Sequence, residues 1–191
     1  MTTTRVEAFS DGVIAILITI MILELKVPLG TGLQALRPLL SLFLIYVLSF
    51  VTLGIYWTNH HHLLHATSRV NGGILWANLH LLFWLSLVPF VTGWMGENSF
   101  APVPTAAYGG VMLACGVAYT MLQATILREP ANREVLATAV GSDLKGKASL
   151  AMYALAVPLA FVHQLISDAL YVTVALIWLV PDPRIESRLR E

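Results

Sequence analysis

The sequence predicts an all-α polytopic membrane protein with six transmembrane helices in one unit covering residues 1–191. The first observation behind this is composition: hydrophobic residues make up 57% of the chain and charged residues 12%, with a mean hydropathy of +0.75. Soluble domains carry about 25% charged residues, so most of this surface has to face lipid. The second is a series of six apolar runs, each close to the ~20 residues that a helix needs to cross a bilayer core while satisfying its own backbone amides. The third is the placement of the basic residues, which fall on alternate sides of those runs as short loops demand.

The runs extend approximately from Phe9 to Leu25, Leu39 to Thr58, Ile74 to Met95, Thr105 to Leu127, Ala148 to Val162 and Leu165 to Val180. The last two are short and are separated only by His163 and Gln164. They read as a tight hairpin or a partly re-entrant pair, with Ser167 and Asp168 near the turn. With the amino terminus inside, Arg5, Arg69, Arg128, Arg133, Lys145, Lys147, Arg184, Arg188 and Arg190 become cytoplasmic. Only Lys26 and Arg37 then lie outside, so both termini are expected in the cytoplasm and the span count is expected to be even. Glu7 and Asp11 precede the first apolar run and no small-x-small cleavage site follows before Pro28, so the first span is expected to remain in the mature protein.

Trp57, Trp76, Trp94 and Trp178 lie towards span ends, where amphipathic rings anchor at the interface. Pro89 and Pro158 fall within the third and fifth spans as expected kinks. Gly109, Gly110 and Gly116 on the fourth favour close helix packing. A single cysteine, Cys115, excludes an intramolecular disulfide. A formal net charge of +0 leaves no general attraction to nucleic acid.

Two polar clusters interrupt the apolar pattern. Arg5, Phe9, Ser10, Asp11 and Gly12 open the first span, and a carboxylate beside branched aliphatics is expensive in lipid unless it is used. Trp57, Asn59, His60, His61, His62 and His65 close the second. Because span one runs outward and span two returns, both clusters belong at the same inner depth. Asp11 and His60 can satisfy each other there, with Arg5, Ser10 or Asn59 completing a clamp; an Asp–His proton relay is the competing reading. His61 and His65 share a helical face, but no third metal ligand has a clear spacing. No H-E-x-x-H pattern, nucleophile elbow or Gly-rich phosphate loop supports a metal-dependent enzyme. His80 and His163 read as packing or interface residues.

Ile16, Ile20 and Leu23 stand at i, i+4 and i+7, forming one apolar stripe with Gly12 and Thr19 alongside. Asp11 lies about 140° from Ile16 around the helix, so the carboxylate and the stripe face different neighbours. Spacing alone leaves that stripe open to lipid contact, packing or a pore lining.

The Arg5-x3-Phe9-Ser10-Asp11-Gly12 signature before an apolar helix, with Trp57-x2-His60 closing the second, resembles bacterial homologues of the endolysosomal potassium channel transmembrane protein 175. The resemblance implies a homotetrameric, passive, potassium-preferring cation channel with a central pore lined by the first helix. It places the constriction at Ile16, continues the pore through Ile20 and Leu23, and assigns Thr19 a part in selectivity. It assigns Arg5, Phe9, Ser10, Asp11, Trp57 and His60 to a structural polar network rather than to ion coordination. The expected partners are potassium and other monovalent cations, the lipid bilayer and three further copies of the chain. No cofactor and no enzymatic activity are implied, and the setting is a bacterial inner membrane. A proton-coupled transporter using Asp11 and His60 is the alternative. No T-V-G-Y-G filter occurs, so a hydrophobic constriction offers little to discriminate potassium strongly from sodium.

Overall fold

A computed structural model describes residues 3–132 and 143–179, and every regular element among them is helical. Helix α1 (Thr3–Ile20) tightens into a 3₁₀ turn over Met21–Glu24. A second 3₁₀ segment, Leu33–Leu39, leads into α2 (Leu40–His65). Then follow α3 (Gly72–Ser86), α4 (Val88–Glu97), α5 (Pro102–Arg128), α6 (Leu144–Leu159) and α7 (Gln164–Leu179).

Four helical stretches are long and apolar enough to cross a bilayer: Thr3–Glu24, Leu33–His65, Gly72–Glu97 and Pro102–Arg128. They account for the first four expected spans. The fifth and sixth expected spans correspond to α6 and α7, of 16 residues each. At 1.5 Å per residue each reaches only about 24 Å, short of the ~30 Å hydrocarbon core. Lys145 and Lys147 also occupy the first turns of α6. Val180 and the basic residues Arg133, Arg184, Arg188 and Arg190 lie outside the described residues.

The third span shows how one proline shapes an element. Pro89 has no N–H to give the carbonyl one turn back, and the helix breaks at Leu87 instead of bending smoothly. The Ser86 hydroxyl takes up the Phe83 carbonyl at 2.7 Å, and the Leu87 N–H donates to Trp84 O at 3.1 Å. Pro158 acts differently from the expected mid-span kink, because α6 ends one residue later.

The helices pack in an interlocked set: α3 and α6 flank α5, α4 lies on α2, α7 lies on α6, and α1 lies on α2 and α3. Their shared core is aliphatic, with Ile14, Leu53, Leu64, Ile74, Leu81, Met112, Leu122 and Ile126 buried. Small polar knots join the helices within it. The Ser49 and Thr92 hydroxyls lie 2.7 Å apart, and Ser49 also donates to the Tyr108 hydroxyl at 3.2 Å, tying α2, α4 and α5. At the end of the bundle where α1 begins, Asn132 Oδ1 accepts from the Ser68 and Arg69 amides while its amide nitrogen donates to Arg69 O. This fixes the α2–α3 turn, and Thr3 reaches the same turn through Thr67 O at 3.2 Å. At the opposite end of the bundle Lys26 Nζ meets Glu97 Oε1 at 2.7 Å, a contact that raises the lysine pKa above its ordinary value.

Two of the three glycines expected to allow close packing do so. A methyl group on Gly109 would run into the Tyr171 hydroxyl, and one on Gly116 would lie 2.8 Å from Leu150 Cδ2, whereas Gly110 faces open space. Gly96 makes the tightest backbone approach: its Cβ would stand 2.6 Å from Leu42 Cα, where no rotamer change gives relief. Gly96→Ala is therefore expected to lower stability by about 1–3 kcal/mol by forcing α2 and α4 apart. Gly110→Ala is expected to be neutral or stabilising by up to ~1 kcal/mol, from helix propensity alone. Thermal unfolding of the two purified variants side by side checks the ordering.

Candidate functional site

Helix α1 has two unlike faces, set by the spacing of its residues. Val6, Ser10, Ile14 and Leu17 recur at intervals of three or four and are buried, and Met21 continues the row. Phe9, Ile16, Ile20 and Leu23 are 55%, 62%, 46% and 75% exposed on the remaining surface. Gly12 and Thr19 are exposed there too. Ile18, about 160° from Ile16, packs instead against the core.

The upper part of the stripe departs from ideal α-helical spacing. From Met21 the chain is 3₁₀, in which residues three apart eclipse, so Leu23 stacks over Ile20 instead of drifting away from it. Thr19 Oγ1 lies 2.9 Å from Ala15 O and 3.0 Å from Ile16 O. Its proton is thus committed to its own helix, and what it offers outward is oxygen lone pairs.

The polar clusters meet, but not in the expected pairing. Trp57 Nε1 donates to Asp11 Oδ1 at 2.9 Å. Ser10, fully buried, instead takes a hydrogen bond from Asn78 Nδ2 at 2.9 Å, and Asn78 Oδ1 lies 2.6 Å from His60 Nε2. With the Asn78 amide nitrogen turned to Ser10, its oxygen is the acceptor, so His60 carries its proton on Nε2. Asp11 and His60 therefore have separate partners. Ser10 and Asp11 are adjacent and point about 100° apart around α1, so one faces inward to α3 while the other faces the flank of α2. Arg5 and Phe9, expected in the network, are exposed and join none of these bonds among the described residues.

Asn78 is the residue that sequence reading missed. Its signal was one of only two polar side chains, with His80, inside the apolar run Ile74–Leu85, overshadowed by the neighbouring tryptophans. The choice among the three consecutive histidines is also clear: His60 is buried, while His61 is exposed and stacks on Trp57 and His65 with ring centroids 6.2 and 5.9 Å away. These rings sit on α2, which runs on to His65, two turns past the expected end of the span. Asn59, the other expected contributor, bonds back within its own helix by donating to Ile55 O. Among the described residues no three His, Cys, Asp or Glu side chains converge as a metal site. His80 accepts a hydrogen bond from Trp84 Nε1 at 2.9 Å, and Trp178 Nε1 donates to Ser149 Oγ, so this tryptophan packs inward rather than serving only as an interfacial anchor.

Asn78 holds two helices at once, and this sets an order among variants. Asn78→Ala leaves both Ser10 and His60 without that partner in a buried setting, at an expected cost of about 2–5 kcal/mol, whereas Asp11→Ala removes one partly exposed bond to Trp57 and is expected to cost about 1–2 kcal/mol. Folded yield and thermal unfolding of Asn78→Ala, His60→Ala and Asp11→Ala check the ranking. A larger loss from Asp11→Ala than from Asn78→Ala would put the principal clamp at Asp11.

Residues 5–89, which span α1 to the start of α4, match the family model described as endosomal/lysosomal potassium channel TMEM175. A potassium channel of Chryseobacterium sp. (strain P1-3) is 50% identical over 191 residues, the full length of both chains. A potassium channel of Streptomyces collinus is 38% identical over 126 residues, 62% of this chain and 61% of the relative. The crystal structure of a lysosomal potassium-selective channel TMEM175 homologue from Chamaesiphon minutus superposes with a TM-score of 0.77 at 28% identity, covering 93% of this chain and 96% of that one. Matched along its whole length by one such relative and in fold by another, the chain is an integral membrane protein and not an enzyme, and it belongs to the TMEM175 family of potassium channels.

Proposed function

We propose that four copies of the chain surround a central axis and pass potassium and other monovalent cations down their gradient, with the exposed face of α1 lining the path. The observation that carries this reading is the division of α1 into a buried row and an exposed row. A lone protomer cannot enclose an axial path with one helix face, and cyclic symmetry brings four such faces together. Six membrane helices per subunit then include the short pair α6 and α7 beside the four long spans.

Ile16 is the constriction in this reading, with Ile20 and the Leu23 stacked over it continuing outward. Branched aliphatic side chains at an axis offer an ion no ligands, so the barrier is dehydration and dewetting. Thr19, one turn from Ile16, turns oxygen lone pairs to the same surface and is the group suited to favour potassium. The Ser10–Asn78–His60 chain and the Asp11–Trp57 bond hold α1 from behind. Separate partners for Asp11 and His60 favour this clamp over the proton-coupled alternative, because a relay needs a continuous path between the two groups.

The setting that fits is a bacterial inner membrane with both termini cytoplasmic. Arg5, Arg69, Arg128, Lys145 and Lys147 then sit at the inner end, and Lys26 and Arg37 at the outer.

Ile16→Ala or Ile16→Asn is expected to raise cation flux through proteoliposomes several-fold and to weaken preference for potassium over sodium, with smaller effects from Leu23→Ala. Ile18→Ala is expected to change stability and leave selectivity unaltered; the reverse pattern would turn α1 about its axis and overturn the pore assignment. Native mass spectrometry in several mild detergents is expected to give a tetramer. Monomers or dimers throughout would count against a shared axial path.

A further inference from the structure

The apolar stripe of α1 ends at Leu23, and charged residues follow it at once: Glu24, then Lys26. Leu23 is 75% exposed, whereas both charged side chains turn back onto α4. Glu24 rests against Gly93, where an added methyl group would stand 3.1 Å from its Oε2. Lys26 Nζ reaches Glu97 Oε1 at 2.7 Å. Glu97 is the last residue of α4, where unsatisfied carbonyls already carry partial negative charge, so the lysine is drawn to a site that is negative from two sources.

The Lys26 and Glu97 side chains stay 75% and 45% exposed, so the pair adds little to stability. What it changes is the fixed charge beside Leu23. Lys26 and Glu97 cancel each other, and Glu24 is left as the net negative charge of this trio. Arg37, the other cation at this end, belongs to the 3₁₀ segment that leads into α2. Fixed charge at the mouth of a cation path sets the local cation concentration, over a reach that salt shortens from about 30 Å at 0.01 M to about 3 Å at 1 M.

We propose that Glu97 is a positioning residue for conduction: it holds and neutralises Lys26 on α4, so that the mouth beyond Leu23 meets permeating cations with the negative charge of Glu24 and no uncancelled lysine. This rests on the reading that the exposed face of α1 lines the path. Four copies around one axis multiply the effect, because each brings its own lysine and its own glutamate to the same mouth.

The test is the potassium conductance of full-length protein in planar bilayers of uncharged phosphatidylcholine, in symmetric potassium chloride at about 10 mM and about 500 mM. Glu97→Gln keeps an acceptor for Lys26 but leaves one uncancelled positive charge on each copy. It is expected to lower conductance about threefold in the dilute salt and less than about 1.3-fold in the concentrated salt. Adding Lys26→Gln removes that charge and is expected to bring conductance back to within about 1.5-fold of wild type. Glu129→Gln, just past the other end of α5, removes the same charge while its amide oxygen can still accept from Asn71, and is expected to change nothing at either salt. No loss in a Glu97→Gln protein with wild-type thermal unfolding would overturn the proposal. So would a loss that persists in concentrated salt, that Lys26→Gln does not reverse, or that Glu129→Gln reproduces. Ile16→Ala in the same bilayers separates the two readings: if it raises conductance while Glu97→Gln is silent, the mouth assignment alone falls, and if both are silent, the path along α1 falls with it.

Discussion

The hydrogen-bonded chain from Ser10 through Asn78 to His60 joins α1, α3 and α2 at one depth, and the position of α1 depends on it. Aliphatic packing holds a helix against its neighbours but specifies rotation weakly, because many side-chain arrangements fill a similar volume. A buried amide with two partners tolerates far less, since each degree of misrotation lengthens a bond that nothing else can replace. Ser10 thereby selects which side of α1 is buried. Everything on the opposite side, including Ile16 and Ile20, is left exposed as a consequence.

The Asp11–Trp57 bond is a different kind of contact. It lies at the exposed edge of the same contact, where a carboxylate can keep part of its hydration. Its geometry fixes a side chain that would otherwise be costly at this depth. Two modest constraints side by side, one buried and one at the edge, define both the rotation and the tilt of the helix. The α2–α3 connection adds a third, because Thr3 ties the start of α1 to Thr67 O there while Asn132 holds that connection in place.

Glycines and hydroxyl knots do comparable service deeper in the bundle. Gly96 lets α4 approach α2 to backbone contact, and the Ser49–Thr92–Tyr108 group lies along the same interface and extends it to α5. Small residues permit close approach in lipid, where no hydrophobic gain drives helices together. The hydroxyls add direction to that approach. The resulting scaffold buries α1 by one face only, which is what the proposed shared pore needs of it.

The sequence by itself determined the class of protein, the first four spans and the existence of two polar clusters at a shared depth. Those follow from composition, run length and alternation of loop charge, which are local or cumulative properties of the chain. It also set the stripe Ile16–Ile20, since helical periodicity is local. Only the tertiary structure decided how the clusters pair. Whether Asp11 meets His60 or Trp57 depends on the relative rotation of two helices, and Asn78 enters from a third helix that no spacing rule connects to either. The 3₁₀ tightening that stacks Leu23 on Ile20 and the break at Leu87 were likewise settled by packing and by proline's missing donor, beyond what hydropathy measures.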